Sequence, residues 1–330
     1  MTWAKGYKLH RDKYTIESKL GTGRFGVTYR ARDKQNNYVV IKTLNDNSLQ
    51  KKPPEDREKL KASFYNEALK LEKCKHRHIV KVREIVTDND FPCIVMEYID
   101  GNDLAKRAQP ILPEGEALRY IRQIGQALKE VHKQGLLHRD LKPDNIMRRC
   151  QKGKVEAVLI DFGLARECNH PLTEKWQSDG FTPIELYSEK LECGTWTDVY
   201  GLAATLYVLL TGKQPENADE RYDKENTKEL TPPKQYNRKI SDRTNQAILK
   251  GMAIKPCDRT QTIDQWLKLL GINPILPFTV PEWNIDRSIQ LAIAIGTVVA
   301  AIVGLWTLIK PSTSPETSQP VNSEEVRQKN

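Results

Sequence analysis

The chain has no CxxC pair, no Gly-Lys-Ser/Thr phosphate loop and no long basic block interleaved with aromatics. Each absence removes a class of function. Six cysteines (Cys74, Cys93, Cys150, Cys168, Cys193 and Cys257) stand far apart; without clustered thiolates there is no zinc site, and the pattern fits reduced thiols in a cytosolic domain. No nucleic-acid module accompanies the net charge of +9, so nucleic acid is not an expected partner, and an anionic ligand or a membrane surface is left. The opening MTWAKGYKLHRDKY lacks an apolar run, so no secretory signal peptide is expected. What is present is ordinary: 330 residues, 38% hydrophobic and 29% charged, enough for one large or two smaller folded domains.

Along the chain, Tyr14 to about Lys42 alternates and turns like antiparallel strands, with a Gly-rich turn at GTGRFG and a polar turn at Asp33–Asn37. A helix is expected over EDREKLKASFYNEALKLEKC, with Pro54 near its start. More strand-like residues follow to Tyr98, and from Pro113 the pattern is mainly helical. Val199–Leu210 is apolar for about a dozen residues, too short to cross a bilayer, and reads as a buried core helix. Residues 288–309 differ: 22 uncharged residues, about 33 Å of helix at 1.5 Å each, match a hydrocarbon core of about 30 Å. Arg287 and Lys310 bracket this stretch, and Trp283 and Trp306 lie where interfacial aromatics sit. A membrane span is expected there. Residues 271–287 hold three prolines and read as a linker, and residues 310–330 as a disordered tail.

Gly21-Thr22-Gly23-Arg24-Phe25-Gly26 fits GxGxxG, yet it leads into strand-like VTYRARD rather than a helix, which excludes a dinucleotide-binding fold. A plain β-turn and a hairpin whose backbone approaches phosphates both remain open at this point. VVIK then sets Lys42 in an apolar strand, where an ammonium needs an anionic partner; Glu67 is the candidate. HRDLKPDN places Asp140, Lys142 and Asn145 in one loop, followed by Asp161-Phe162-Gly163.

These five motifs, in this order and spacing, resemble the signature of eukaryotic-type serine/threonine protein kinases, and the chain is similar to the membrane-anchored kinases of bacteria. The resemblance implies an α+β, bilobal protein-kinase fold with a small β-rich N-lobe (14–98) and a larger α-helical C-lobe (99–270), preceded by a leader (1–13) and followed by one C-terminal transmembrane helix. By the same resemblance, Asp140 accepts the substrate proton and Lys142 neutralises the transferred group, while Lys42, positioned by Glu67, grips phosphates. Asn145 and Asp161 hold Mg²⁺, or Mn²⁺ in its place. ATP is expected against Gly21, Thr22, Gly23, Arg24, Phe25, Gly26, Thr28, Val40, Lys42, Glu97, Ile99, Asp103 and Met147, with Met96 as gatekeeper. His138 is read as a packed core histidine against Phe162 and Leu71, Asp198 as the brace of the catalytic loop, and Arg259 as the partner of Glu185.

Thr28, Val40 and Pro183-Ile184-Glu185 depart from the family's usual residues, which bears on pocket shape and substrate docking. The loop DLKPDN and Ser178 point to Ser/Thr acceptors, and Arg139 to control by Thr173 or Glu174. A small-residue face, Ala292/Gly296/Ala300/Gly304, suits a homodimer in the membrane. ATP use then puts the kinase part in the cytosol, at the cell membrane, with the tail outside. The alternatives are a catalytically silent membrane scaffold and a small-molecule phosphotransferase.

Overall fold

The computed structural model describes residues 3–23, 26–151, 153–162, 180–188, 190–222 and 228–272. Six strands form one antiparallel sheet in the order β1-β2-β3-β4-β6-β5: β1 Lys8–Leu9, β2 Tyr14–Thr22, β3 Gly26–Asp33, β4 Tyr38–Leu44, β5 Val82–Asp88 and β6 Phe91–Glu97. The polar turn between β3 and β4 closes because the Asp33 carboxylate accepts from the amides of Gln35 and Asn37, while Asn36 takes the left-handed conformation that its short side chain tolerates. Against the sheet lie the short α1 (Asp46–Gln50) and α2 (Pro54–Lys73). α2 begins with proline, carries Glu55 and Asp56 in its first turn and ends on Lys70 and Lys73, which suits both its free amides and its dipole.

Residues 3–13, expected as a leader ahead of the lobe, are instead part of it. β1 pairs with β2, and Leu9 is fully buried. Trp3 stacks on Tyr7 and packs against Tyr29, whose hydroxyl accepts from the Trp3 amide. The Asp88 carboxylate accepts from the Tyr7 hydroxyl and the His10 amide, both at 2.8 Å. Apolar side chains with a ready sheet edge are buried wherever the chain can reach it.

The larger lobe is built from α3 (Glu114–Lys133), the hairpin β7 (Ile146–Gln151) and β8 (Lys154–Leu159), and α4 (Thr195–Thr211). Among the described residues it also holds α5 (Ala218–Tyr222), α6 (Pro233–Tyr236), α7 (Asp242–Gly251) and α8 (Ile263–Leu269). α3 buries Ala117, Tyr120, Ile121, Ile124, Leu128 and Val131 at helical spacing, leaving its other face wet. α4, the apolar run read as a core helix, is buried almost all round. It stops at Gly212, in the left-handed conformation that ends helices. Among the described residues no helix is long and apolar enough to cross a membrane, and the stretch 271–330 read as linker, span and tail lies outside them from residue 273 on.

A strap around His78 ties the two lobes. The Leu159 amide donates to the His78 carbonyl, the Val80 amide donates to Leu159, and the His78 ring meets the Ala157 carbonyl at 2.8 Å. Burial pushes the imidazole down to about 4 from 6.5. The unfolded chain therefore takes up a proton near pH 6.5 that the folded one refuses until about pH 4, so this site is neutral to stability above pH 7 and costs stability as pH falls through that window. Urea unfolding at pH 7.5 and pH 5 checks this: the loss on acidification is expected to shrink by about 1–2 kcal/mol in His78→Gln.

Candidate active site

A cleft of about 400 Å³ opens between the sheet and the helical lobe. Gly21, Thr28, Val40 and Lys42 line it from β2, β3 and β4; Met96, Glu97 and Ile99 line it from β6 and the segment beyond; Asp103, Asn145, Met147 and Asp161 line it from below. Thr22 ends β2 and Gly26 opens β3, and the Gly23 amide donates to the Gly26 carbonyl. Arg24, Phe25, Gly163, Thr173, Glu174 and Ser178 fall outside the described residues.

Lys42 is only 9% exposed, so its charge must be met. Its partners are the Asp161 carboxylate and the Phe162 carbonyl, the latter at 2.7 Å. This corrects the expected Lys42–Glu67 pair. Glu67 lines a separate cavity of about 120 Å³ with Lys70, Leu136, Leu137, Arg139 and Phe162. Asp161, one of these acceptors, lies in the left-handed region at φ 55°.

Asp140 and Lys142 sit just outside the cleft lining and are joined to it by Asn145. The Asn145 amide donates to the Asp140 carbonyl at 2.7 Å and to its carboxylate at 3.0 Å; Lys142 Nζ lies 3.2 Å from the same carboxylate. With its Nδ2 thus committed, Asn145 keeps its side-chain oxygen for another donor or cation.

Asp198, on the first turn of α4 and 1% exposed, fixes this loop. Its carboxylate accepts from the amides of His138 (2.9 Å) and Arg139 (2.8 Å) and meets His132 Nε2 at 2.7 Å. Burial pushes the Asp198 carboxyl up, but the bond and charge of His132, the nearby His138 and the Arg139 amide hold it below the usual range. Those bonds also offset the strain of Arg139, which sits at φ 63°. α4 comes this close to the loop because position 201 is glycine: a Cβ there would meet the Leu141 Cβ at 2.8 Å.

His138 is fully buried, 4.9 Å from the Phe162 ring, with its Nε2 donating to the Ile160 carbonyl. Burial holds the ring below its ordinary pKa, so it packs as a neutral group. Below the site, Arg259 Nη1 and Nη2 grip Glu185 at 2.6 and 2.9 Å, both side chains without exposure.

Sequence reasoning missed Lys106. Its amide and ammonium both bond Asp103, at 2.8 and 2.9 Å, so this carboxylate at the cleft's mouth is already engaged. Spacing alone carried the signal, since Asp and Lys three apart meet on one turn. Leu20, Val80, Tyr98 and Ile160 also line the cleft, and apolar wall residues carry no mark that separates them from core.

Chemically, the cleft offers an ammonium, a carboxylate and an amide oxygen around one space. Among the described residues no group of three or more His, Cys, Asp or Glu converges as a metal cage. Asp161 and Asn145 still supply the hard oxygen donors that a Mg²⁺-like ion takes together with phosphate oxygens and water.

A Protein kinase domain family model matches residues 14–269. The chain is 33% identical over 223 residues to the serine/threonine-protein kinase PkaA of Streptomyces coelicolor, a match covering 62% of this chain and 40% of that protein. It is 30% identical over 266 residues to the serine/threonine-protein kinase pkn3 of Myxococcus xanthus, covering 75% of this chain and 47% of that one. The chain thus spans less than half the length of these curated relatives. Among solved structures, the PpkA-294 apo form superposes with a TM-score of 0.64 at 28% identity, over 82% of this chain and 99% of that one.

Asp198→Asn tests the brace. An amide facing two backbone amides leaves at least one buried donor unmet, and urea unfolding is expected to register a loss of about 2 kcal/mol.

Proposed function

We propose that this chain, which belongs to the protein kinase family, transfers the γ-phosphate of ATP to Ser or Thr hydroxyls of proteins, its own among them, at a membrane. One observation carries the catalytic part of this reading: Lys42, Asp161, Asn145 and, through Asn145, Asp140 and Lys142 gather at one cleft although they are spread over 120 positions of sequence.

Phosphoryl transfer needs positioning and charge neutralisation more than covalent help. In this reading the walls from Gly21 to Met147 hold the purine and ribose, and Lys42 orients the phosphates. The acceptor hydroxyl oxygen attacks the γ-phosphorus, the bond from that phosphorus to the bridging oxygen breaks, ADP leaves, and the acceptor proton passes to the Asp140 carboxylate. Lys142, beside that carboxylate, balances the charge that collects on the transferred group. Asp161 and Asn145 are the residues that fit a divalent cation, which when bound supplies neutralisation of the phosphate charge.

The preference for Ser and Thr is supported by Lys142 two residues after Asp140 and by the similarity to serine/threonine-protein kinases. Residues 288–309 supply the membrane anchor in this reading, with the kinase part in the cytosol and the tail outside; the small-residue face at Ala292, Gly296, Ala300 and Gly304 brings two copies together, and Thr173 or Glu174 engages Arg139 for control.

Incubation with labelled ATP, Mg²⁺ and a general protein substrate tests the chemistry: Asp140→Ala is expected to lower phosphate incorporation by about a thousandfold, and equal incorporation by wild type and variant would end the enzyme reading. The anchor is tested separately by alkaline carbonate extraction of membranes. The full chain is expected in the pellet and a chain ending at Leu270 in the supernatant; release of both would remove the membrane from the account.

A further inference from the structure

A second concavity, of about 640 Å³, shares Glu97 with the cleft. Its walls come from the end of α2, the loop after it, the start of β5, and β7, and they carry Lys73, Lys75, Arg77, Lys81, Arg83 and Arg149. Two carboxylates, Glu72 and Glu97, face the same space.

The six cations divide into two kinds. The guanidiniums are already held: Arg77 pairs with Glu156, Arg83 with Asp33 at 3.3 Å and Arg149 with Glu97 at 2.5 Å. Lys73, Lys75 and Lys81 make no ion pair among the described residues, and all three are exposed. An exposed lysine is ordinarily just a solvated charge. Lys73 also has a local reason to be there, since it complements the C-terminal carbonyls of α2. Lys75 and Lys81 lie beyond the helix and have no such reason. Among the described residues, three ammoniums against one carboxylate outside any ion pair, Glu72, around one concavity of small-ligand size leave a net positive site.

We propose that this groove binds a small phosphate-bearing anion at a site separate from the nucleotide cleft. Ammoniums on flexible stems act as point-charge donors to phosphate oxygens, and Arg149, held by Glu97, gives one wall a fixed shape. His76 adds no charge near neutral pH, because burial holds its ring below the ordinary value. The site also touches the cleft wall. Glu97 Oε1 accepts from Arg149 at 2.5 Å and from the Lys81 amide at 3.0 Å, so an anion that draws on Arg149 alters the hold on a residue lining the cleft. The phosphate could come from a soluble compound or from a phospholipid headgroup, which share this chemistry.

Calorimetric titration of the full chain with inorganic pyrophosphate, without magnesium, tests the site. Wild type is expected to bind, and a Lys73→Gln/Lys75→Gln/Lys81→Gln variant with an unchanged melting temperature to bind about tenfold more weakly. Binding should also weaken as salt is raised, because exposed charges are screened over about 8 Å at physiological ionic strength. Lys42→Met, which alters only the cleft, is expected to keep the wild-type affinity. In a second arm, phosphatidylcholine vesicles with and without phosphatidic acid are sedimented with each protein; lysine-dependent gain on the phosphatidic acid vesicles assigns a headgroup, and gain in the pyrophosphate arm alone assigns a soluble ligand. Equal behaviour of wild type and triple variant in both arms overturns the proposal, as does a pyrophosphate titration abolished by Lys42→Met. Neither result would bear on phosphate transfer from ATP.

Discussion

The conformation of the loop that carries Asp140 depends on one buried carboxylate. Asp198 has almost no contact with solvent, so its charge is tolerable only while the His138 and Arg139 amides and the His132 ring point at it. The dependence runs both ways: Arg139 holds a left-handed backbone that a non-glycine residue avoids by about 1–3 kcal/mol unless its surroundings fix it. These bonds fix the backbone at His138 and Arg139, directly ahead of Asp140. Arg259 and Glu185 repeat the arrangement lower in the same lobe, two opposite charges sealed away from water with all three guanidinium nitrogens donating.

Much of this was legible in the order of residues. Motifs that hold chemistry are written in polar side chains at fixed spacings, so Asp140, Lys142, Asn145 and Asp161 could be picked out one by one, and the buried helix from Val199 to Leu210 announced itself by an unbroken apolar run. The Arg259–Glu185 pair came from the family resemblance and is present as a buried bidentate contact. Choices between two partners were less legible. Whether Lys42 meets Glu67 or Asp161 depends on where α2 rests against the sheet, a tertiary balance that no local pattern encodes. The engagement of Asp103 by Lys106 was missed for a related reason, since an acid and a base three residues apart look like any surface pair.

The groove around Lys75 and Lys81 takes five of its six cations from residues 73–83, a basic stretch that sequence shows, but nothing in that stretch says that folding curves it round a concavity and sets Arg149 beside it. Only folding puts the end of α2 beside β5 and β7. Glu97 then serves two spaces at once, its backbone pairing with β4 and its carboxylate held by Arg149 and the Lys81 amide. A single side chain that belongs to two walls is a natural point for one to influence the other.

The first strand and the tryptophan before it carry a practical consequence for anyone dividing this polypeptide into fragments. Cutting at Tyr14, where the family match begins, would uncover the aromatic face of Tyr29 and take the Tyr7 and His10 donors from the Asp88 carboxylate. Such a fragment would keep every reactive group and still present a bare, sticky sheet margin that invites self-association.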